Sequence, residues 1–294
     1  MELSYRLQVT GFMKTIKTAN PNDIKFFVEK IQLPMKNSHK GQNGKMLIVG
    51  GSQLFHSASL WSAEVASHFV DMVHYCSTEE NNEIFLSLKK KFRNGIVVSR
   101  KDVDSYAEED DVILVGPGLE RTKETKDLVD SMLKNHSTKR FVLDAGALQM
   151  MNTDLLKKLT QPAIVTPHQK EFEGMFKFSI TDQSLEQIAA SVRCTAEEED
   201  CIILLKAIHD FVSDGSDEYV IEGGNQGLTK GGTGDILAGL AASFYVRSDG
   251  LSSAICASYV LKKTADELFK SRGYWYNNSD ILDTIPKVVN SIFL

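Results

Sequence analysis

Short, continuous apolar runs alternate with amphipathic stretches along most of the chain after residue 44. Apolar runs without polar alternation are typical of strands that are buried on both faces of a parallel sheet. Helical patterns fall between the runs, for example over residues 123–135 and 184–199. This alternation predicts an α/β fold with a mostly parallel sheet and helices on both faces. The predicted strands are 46–49, 72–75, 112–115, 141–143, 163–165 and 201–205.

The two ends of the chain have other patterns. Residues 1–38 precede the alternating region and are predicted to be an N-terminal extension, in which residues 20–23 form the cap of a short helix over 24–28. Residues 39–294 are predicted to form one domain. Near its end, a turn at Gly215 predicts an antiparallel hairpin. The hairpin strands are 210–214 and 218–222, and two long helices over 235–245 and 251–270 are predicted to close the chain.

Composition excludes several classes of protein. A hydrophobic content of 42% and a charged content of 24% are ordinary for a soluble globular protein. The net charge of −6 argues against a nucleic-acid surface. No apolar run reaches the length of about 18 residues that would span a membrane, and the first residues lack the apolar core of a secretory signal. The four cysteines have no metal or disulfide spacing, so a reducing, cytoplasmic setting is expected.

The segment Gly231-Gly232-Thr233-Gly234 leads directly into Asp235 and an apolar, helix-like stretch. Glycines allow a ligand to approach the backbone, and the start of a helix offers free N–H groups to an anion such as phosphate. A carboxylate would repel a phosphate, but it can take a proton from a hydroxyl while the loop holds a phosphoryl group. The alternative is an ordinary turn in which Asp235 caps the helix.

Five further segments rich in Gly, Pro or polar residues follow predicted strands. Ligands of open α/β sheets bind beyond the carboxyl ends of the strands, so these segments predict a binding site together with the glycine loop. Lys206 could meet a phosphate or extend into solvent. His168 is expected to be a polar ligand contact rather than a base, because the sequence shows no carboxylate to orient it. The segments are 50–52, 116–119, 144–148, 166–171 and 206–208.

These motifs resemble the ribokinase-like superfamily and, more narrowly, the ADP/ATP-dependent NAD(P)H-hydrate dehydratase family. The resemblance covers residues 38–290, and neither a GxGxxG nor a P-loop motif is present. The Gly-Asp signature alone marks the superfamily, whereas its combination with the other motifs marks the dehydratase group. The matching motifs are His39-Lys40-Gly41, Gly116-Pro117-Gly118-Leu119, Leu143-Asp144-Ala145, Thr166-Pro167-His168 with Glu171, Leu205-Lys206, 224–227 and 231–235.

The resemblance implies a three-layer α/β/α sandwich and a nucleotide-repair reaction. NADH and NADPH can take up water across the C5=C6 bond of the nicotinamide. The family phosphorylates the C6 hydroxyl of the S epimer of these hydrates, NADHX and NADPHX, and eliminates phosphate. ADP, or alternatively ATP, is the expected co-substrate with Mg²⁺, and ADP is expected to give AMP. A homo-oligomer, as in a homotetramer, is expected, without nucleic-acid or membrane partners.

The resemblance also assigns roles to residues. Asp235 is expected to be the catalytic base, and Thr233 resembles the branch of the family that uses ADP. The residues expected to contact the hydrate are Ala58, Gly118, His168 and Asp235. Those expected to hold the nucleotide are Lys206, Ala207, Ile208, His209, Asp210, Gly232, Thr233 and Gly234, and no metal-ligating side chain is expected.

Several positions depart from the family pattern. Gly146 stands where the family usually has a second Asp, and Ala207 and Ser57 stand where it has Gly. Many relatives carry an epimerase domain before the matching region, whereas only about 38 residues precede that region in this sequence. Epimerase activity is therefore expected to be absent here. Two alternatives stay open. One is a kinase of the same superfamily that acts on a hydroxymethylpyrimidine, a hydroxyethylthiazole or a sugar. The other is a catalytically dead nucleotide-binding regulator, which the departure at Gly146 motivates.

Overall fold

The computed structural model describes residues 13–294. Its central element is a ten-stranded sheet with the order β1-β10-β9-β8-β7-β6-β5-β2-β3-β4. All neighbouring strands are parallel except the two pairs that involve β9. The strands are β1 (Lys14–Lys17), β2 (Lys45–Val49), β3 (Met72–Cys76), β4 (Ile96–Val98), β5 (Val112–Val115), β6 (Arg140–Leu143), β7 (Ile164–Val165), β8 (Ile202–Leu205), β9 (Asp210–Ser213) and β10 (Tyr219–Glu222).

Helices cover both faces of the sheet, which confirms the predicted layers. Successive residues of β2 point to opposite faces, so Met46 and Ile48 enter one core and Leu47 and Val49 the other. The helices are α1 (Lys25–Val28), α2 (Ser57–Ala66), α3 (Glu79–Ser87), α4 (Val103–Glu109), α5 (Lys123–Asn135), α6 (Gly146–Met150), α7 (Gln169–Phe176), α8 (Leu185–Glu199), α9 (Thr233–Tyr245), α10 (Gly250–Arg272) and α11 (Asn278–Phe293).

The six predicted apolar strands and the hairpin are present. The hairpin consists of β9 and β10, whose register pairs Val212 with Tyr219. The prediction that two helices close the chain is incomplete, because α11 follows them with Pro286 in its interior. Proline lacks a backbone N–H and normally interrupts a helix, which is why the sequence pattern did not indicate one there. Within residues 13–294, no helix is long and apolar enough to cross a membrane.

Part of the predicted N-terminal extension packs onto the sheet. Strand β1 pairs in parallel with β10, and its Ile16 is buried. The predicted cap segment 20–23 forms a turn that leads into helix α1, and the Asn20 side chain caps this turn. From α1, Phe27 places its ring edge against Tyr219, with ring centroids 5.1 Å apart.

The sheet places several loops at one edge. Val49, Val115, Leu143 and Val165 are successive register partners near the carboxyl ends of β2, β5, β6 and β7. Val165 in turn pairs with Ile203 of β8. The segments that follow these strands therefore lie side by side, as the sequence predicted.

Candidate functional site

The glycine loop is held in a conformation that requires glycine. Gly232 has φ +99° and precedes helix α9. A Cβ atom at this position would lie 2.1 Å from Asn278 Nδ2 and 2.9 Å from the Trp61 ring. The same Asn278 amide donates a hydrogen bond of 2.8 Å to the Gly231 carbonyl. The loop is thus fixed from outside by the first residue of α11.

Thr233 closes the loop with its own side chain. Its hydroxyl donates to the carbonyls of Leu228 at 2.8 Å and Lys230 at 3.0 Å. The N–H groups of the first turn of α9, including that of Gly234, have no acceptor within the helix. These groups, together with the positive end of the helix dipole, suit an anion.

Asp235 is the third residue of α9 and lies in the lining of a cleft. Its backbone carbonyl accepts a hydrogen bond of 2.8 Å from the Ser62 hydroxyl. Within the part of the chain that the structure describes, no group donates a hydrogen bond to its carboxylate. The interpretation of Asp235 as a helix cap is therefore wrong, because Gly232 occupies the cap position and no side chain caps the helix.

The environment of Asp235 makes its carboxyl group a weak acid. Burial raises its pKa, the negative charges of Asp144 and Glu171 raise it further, and Lys206 opposes them, so the pKa reaches about 7. A carboxylate with a pKa near neutrality is an effective general base, because it is deprotonated in part at physiological pH and still has a useful affinity for a proton. This electrostatic feature is not readable from the sequence around Asp235.

Lys206 lies between the glycine loop and a buried carboxylate. Its ammonium group is 2.6 Å from Asp144 Oδ1, which also accepts a hydrogen bond of 2.8 Å from the Thr166 hydroxyl. Burial alone would lower the pKa of Lys206, but Asp144 and Glu171 more than compensate, so its pKa is raised and the group stays charged. A Cβ atom on Gly234 would be 3.4 Å from this ammonium. The solvent-exposed alternative for Lys206 is therefore wrong.

His168 has a carboxylate partner after all, which corrects the sequence interpretation. The ring Nε2 lies 3.5 Å from Glu171 Oε1. Nδ1 accepts a hydrogen bond of 3.2 Å from the Glu171 backbone N–H, and the Glu171 carboxylate accepts one of 3.0 Å from the His168 backbone N–H. This reciprocal arrangement begins helix α7. Because Nδ1 acts as an acceptor, Nε2 of the neutral ring is left to donate. The His168 side chain is half exposed.

Three of the four predicted hydrate contacts line one cleft of about 610 Å³, namely Ala58, Gly118 and Asp235. Gly118 has φ +77°, and a Cβ there would lie 2.8 Å from the Phe55 carbonyl and 3.0 Å from Ala58 Cβ. His168 does not line this cleft.

Five of the eight predicted nucleotide contacts, residues 206–210, lie at the turn that joins β8 to β9. The other three, Gly232, Thr233 and Gly234, lie in the glycine loop. Ile208 is 87% exposed at the tip of the turn. The Asp210 side chain points inward, where it accepts hydrogen bonds from the Ala207 N–H at 3.0 Å and the Ser258 hydroxyl at 2.7 Å. Lys262 of α10 donates to the Ile208 carbonyl at 2.9 Å. The turn is thus held from inside, while Ala207, Ile208 and the partly exposed His209 lie outside.

Gly146 is not a vacant position for an acidic side chain. A Cβ atom at Gly146 would lie 2.2 Å from the Leu119 carbonyl, so the segment after β5 packs directly on this backbone. Among residues 13–294, no group of three or more His, Cys, Asp or Glu side chains is arranged to hold a metal ion.

Asp144, Thr166 and Glu171 belong to the sequence motifs, but no role was predicted for them. An acidic residue directly after a buried strand was the available signal for Asp144. Lys262 had no signal, because a lysine within a long helix normally faces solvent.

Comparison with known proteins identifies relatives of this chain. Residues 46–287 match the sequence profile of the NAD(P)H-hydrate dehydratase family. A bifunctional NAD(P)H-hydrate repair enzyme of Methanocaldococcus jannaschii is 32% identical over 86% of this chain and 49% of its own length. The chain thus spans about half the length of such bifunctional relatives. An ADP-dependent (S)-NAD(P)H-hydrate dehydratase of Cenarchaeum symbiosum is 29% identical over 91% of this chain and 95% of its own.

A solved structure shares the fold. The ADP/ATP-dependent NAD(P)H-hydrate dehydratase of Bacillus subtilis, co-crystallised with ATP and Mg²⁺, has a TM-score of 0.80 and 22% sequence identity. The match covers 93% of this chain and 97% of that protein. The expected ribokinase-like three-layer fold is thereby confirmed.

Proposed function

The chain belongs to the NAD(P)H-hydrate dehydratase family, and from this membership we propose that it restores NADH or NADPH from the S epimers of NADHX and NADPHX. The phosphoryl donor is ADP, which gives AMP, with ATP as the alternative donor. The observation that carries the proposal is Asp235, a carboxyl group with a pKa of about 7 that lines a cleft beside a glycine loop.

The first step is transfer of a phosphoryl group to the C6 hydroxyl of the hydrate. Asp235 takes the hydroxyl proton as the oxygen attacks the terminal phosphorus of the nucleotide, and the phosphate bond to the donor breaks. The N–H groups of the first turn of α9 and the Lys206 ammonium, which Asp144 holds at 2.6 Å, stabilise the transferring group. The cleft beside Ala58 and Gly118 holds the nicotinamide.

The second step is elimination. Phosphate is a far better leaving group than hydroxide. The ring nitrogen next to C6 supplies the electron pair that breaks the C6–O bond and expels the phosphate. C5 then gives its proton to the departing phosphate, which leaves as hydrogen phosphate, and the C5=C6 bond is restored. Asp144 and Thr166 take no part in the bond changes in this scheme, because they position Lys206.

Mg²⁺ fits this site as a companion of the nucleotide. Magnesium in phosphoryl-transfer sites keeps several waters and binds one or two carboxylates together with phosphate oxygens. Within the described residues no group of three ligating side chains is present, so phosphate oxygens and waters would supply most of the ligands, with Asp144 as the available carboxylate. When bound, Mg²⁺ would neutralise phosphate charge.

The deciding experiment mixes the protein with chemically hydrated NADH, Mg²⁺ and either ADP or ATP, and follows the absorbance of reduced nicotinamide. We expect recovery that requires nucleotide and that falls about 10²- to 10⁴-fold in Asp235→Asn. Asp127→Asn, which removes an exposed carboxylate from helix α5, is the matched control and should keep full activity. A folded protein that restores no absorbance with either nucleotide would instead favour a small-molecule kinase or a dead regulator.

We also propose that the protein is a homo-oligomer of the cytoplasm. Exposed apolar side chains such as Phe26, Met35 and Leu86 support association, and four free cysteines fit a reducing compartment. Light scattering coupled to gel filtration measures the oligomeric state, and a single monomeric mass would contradict the first part.

A further inference from the structure

A second cavity, of about 460 Å³, opens directly beside the cleft that Asp235 lines. The two share Leu119, Glu120 and Thr122, so they form one continuous depression. We name the second one the Arg100 cavity. Its remaining lining residues are Gly51, Ser52, Gln53, Thr78, Arg100, Glu124, Thr125 and Leu128.

The sheet order explains why the cavity lies there. Lys206 follows β8, whereas the Arg100 cavity is built on segments that follow β2, β3, β4 and β5 at the opposite end of the same edge. Asp235 lies between them in the lining of the shared depression. If the phosphoryl donor lies beside Lys206, the Arg100 cavity offers space on the other side of Asp235 for the rest of a long substrate.

The floor of the cavity is rigid. The buried Asn81 side chain donates a hydrogen bond of 3.0 Å to the Ser52 carbonyl and accepts one of 2.6 Å from His56 Nδ1. Gly51 has φ +75°, and a Cβ atom there would lie 2.5 Å from the Asn81 amide and from the Ser77 hydroxyl. The chain therefore comes close beneath the cavity without a side chain that would fill it.

Among the described residues that line this cavity, Arg100 is the only cation. Its side chain is anchored by a hydrogen bond of 3.3 Å from Nε to the Ser77 carbonyl, which leaves the two terminal nitrogens to face a ligand. A guanidinium group presents paired donors that match the geometry of a phosphate. The carboxylates of Glu120 and Glu124 would repel a phosphate but can accept hydrogen bonds from ribose hydroxyls.

We propose that the Arg100 cavity holds the adenosine half of the dinucleotide substrate, with one substrate phosphate paired to the Arg100 guanidinium. This inference rests on the proposed function, because it continues the same cleft. It explains how one depression accommodates a whole dinucleotide while only the nicotinamide half reaches Asp235. It also makes Arg100 a residue that governs affinity for the substrate rather than its chemistry.

Calorimetric titration of NADH and NADPH, the unreactive products, tests the inference without any catalytic step. Arg100→Gln should weaken the binding of NADH, NADPH or both by at least about 10-fold. Selective loss of NADPH affinity would assign Arg100 to the 2′-phosphate, and equal loss to the pyrophosphate. Reduced nicotinamide riboside, which lacks the adenosine half and every phosphate, should bind Arg100→Gln and the wild type alike.

Arg93→Gln is the matched control, because it removes the same charge from an exposed arginine that precedes β4 and does not line the cavity. It should leave all three affinities within about 2-fold. Leu128→Trp, which fills the cavity without a charge change, should weaken dinucleotide binding in a protein that thermal denaturation shows to be folded.

Unchanged dinucleotide affinity in Arg100→Gln, or equal weakening for the riboside, would overturn the inference. So would a wild-type protein that binds neither dinucleotide. The dehydratase assay is independent of these titrations, so a failure of the proposed function and a failure of this subsite can be told apart.

Discussion

At the scale of single residues, the site depends on how one ammonium is shared among several carboxylates. The Lys206 ammonium donates a hydrogen bond of 2.6 Å to Asp144, which also accepts a hydrogen bond from the Thr166 hydroxyl. In the described part of the chain, no group donates a hydrogen bond to the Asp235 carboxylate. The charge of Lys206 is therefore the one interaction that opposes the effect of burial on its pKa. Burial and the negative charges of Asp144 and Glu171 therefore raise the pKa of Asp235, while the bond to Asp144 keeps the ammonium beside the glycine loop.

The raised pKa predicts the pH profile of the reaction. Asp235 acts as a base only when deprotonated, so kcat/KM should rise with pH through about 7 and level off above it. Lys206→Met removes the attraction that lowers the pKa, so it should move this midpoint to higher pH as well as reduce the rate. Measurement of kcat/KM between acidic and alkaline pH checks both expectations, and a midpoint near the ordinary carboxyl range would contradict them.

The same pKa predicts an effect on stability with a definite sign. The folded protein favours the protonated Asp235, so ionisation destabilises the fold fully above about pH 7 and not at all below the ordinary value of 3.8. Asp235→Asn should therefore raise the free energy of unfolding at pH 8, on the order of 2 to 4 kcal/mol. The gain should shrink as pH falls towards 4. Urea denaturation at both pH values tests this, and equal gains would exclude ionisation as the cause.

At the scale of elements, the glycine loop is a product of three helices and not of its own sequence alone. Helix α9 supplies its N–H groups, Asn278 of α11 donates to the Gly231 carbonyl, and Trp61 of α2 packs against Gly232. The loop is consequently fixed before a ligand binds, which reduces the ordering that phosphoryl transfer requires.

Two neighbouring glycines provide an internal comparison. Gly232→Ala places a methyl group 2.1 Å from the Asn278 amide at φ +99°, so we expect loss of activity and a lower stability by about 1–3 kcal/mol. Gly231→Ala meets nothing within 4 Å and has no positive φ, so it should fold and react nearly as the wild type does. Activity and thermal unfolding of the pair provide the test. Equal behaviour of the two variants would show that the loop is not held by α11 and α2.

The sequence predicts the elements that carry strong local signals. The apolar runs of β2, β3 and β5–β8 need no partner to be recognised, and the Gly-Asp segment shows both a turn and a helix start. The pairing of Lys206 with Asp144 could not be predicted, because the two residues are 62 positions apart and meet only through the sheet order. Strand β4 has three residues and an exposed Ile96, so its pattern resembles a loop.

At the scale of the whole molecule, the edge strand β1 contributes to stability, whereas the residues of the site follow other strands of the sheet. Strand β1 closes one end of the sheet, three positions from β8, which precedes Lys206. Its Ile16 is 3% exposed and belongs to the core beneath helices α9 and α10, whereas its lysines pair with Asp217 and Glu222 at the surface. A short strand with a single buried side chain has no recognisable apolar run, although it covers an edge that would otherwise be open.

This separation predicts a variant that loses stability and keeps its chemistry. Ile16→Ala removes buried apolar volume at the sheet edge and should lower the free energy of unfolding by about 2–4 kcal/mol. Thr15→Ala, at the partly exposed neighbouring position, should change it far less. At a temperature where both variants are folded, their kcat should equal that of the wild type, because Asp144 and Lys206 follow strands that lie further along the sheet and helices α2 and α11 hold the glycine loop. Loss of kcat in folded Ile16→Ala would instead mean that the edge strand and the site are coupled through the shared core.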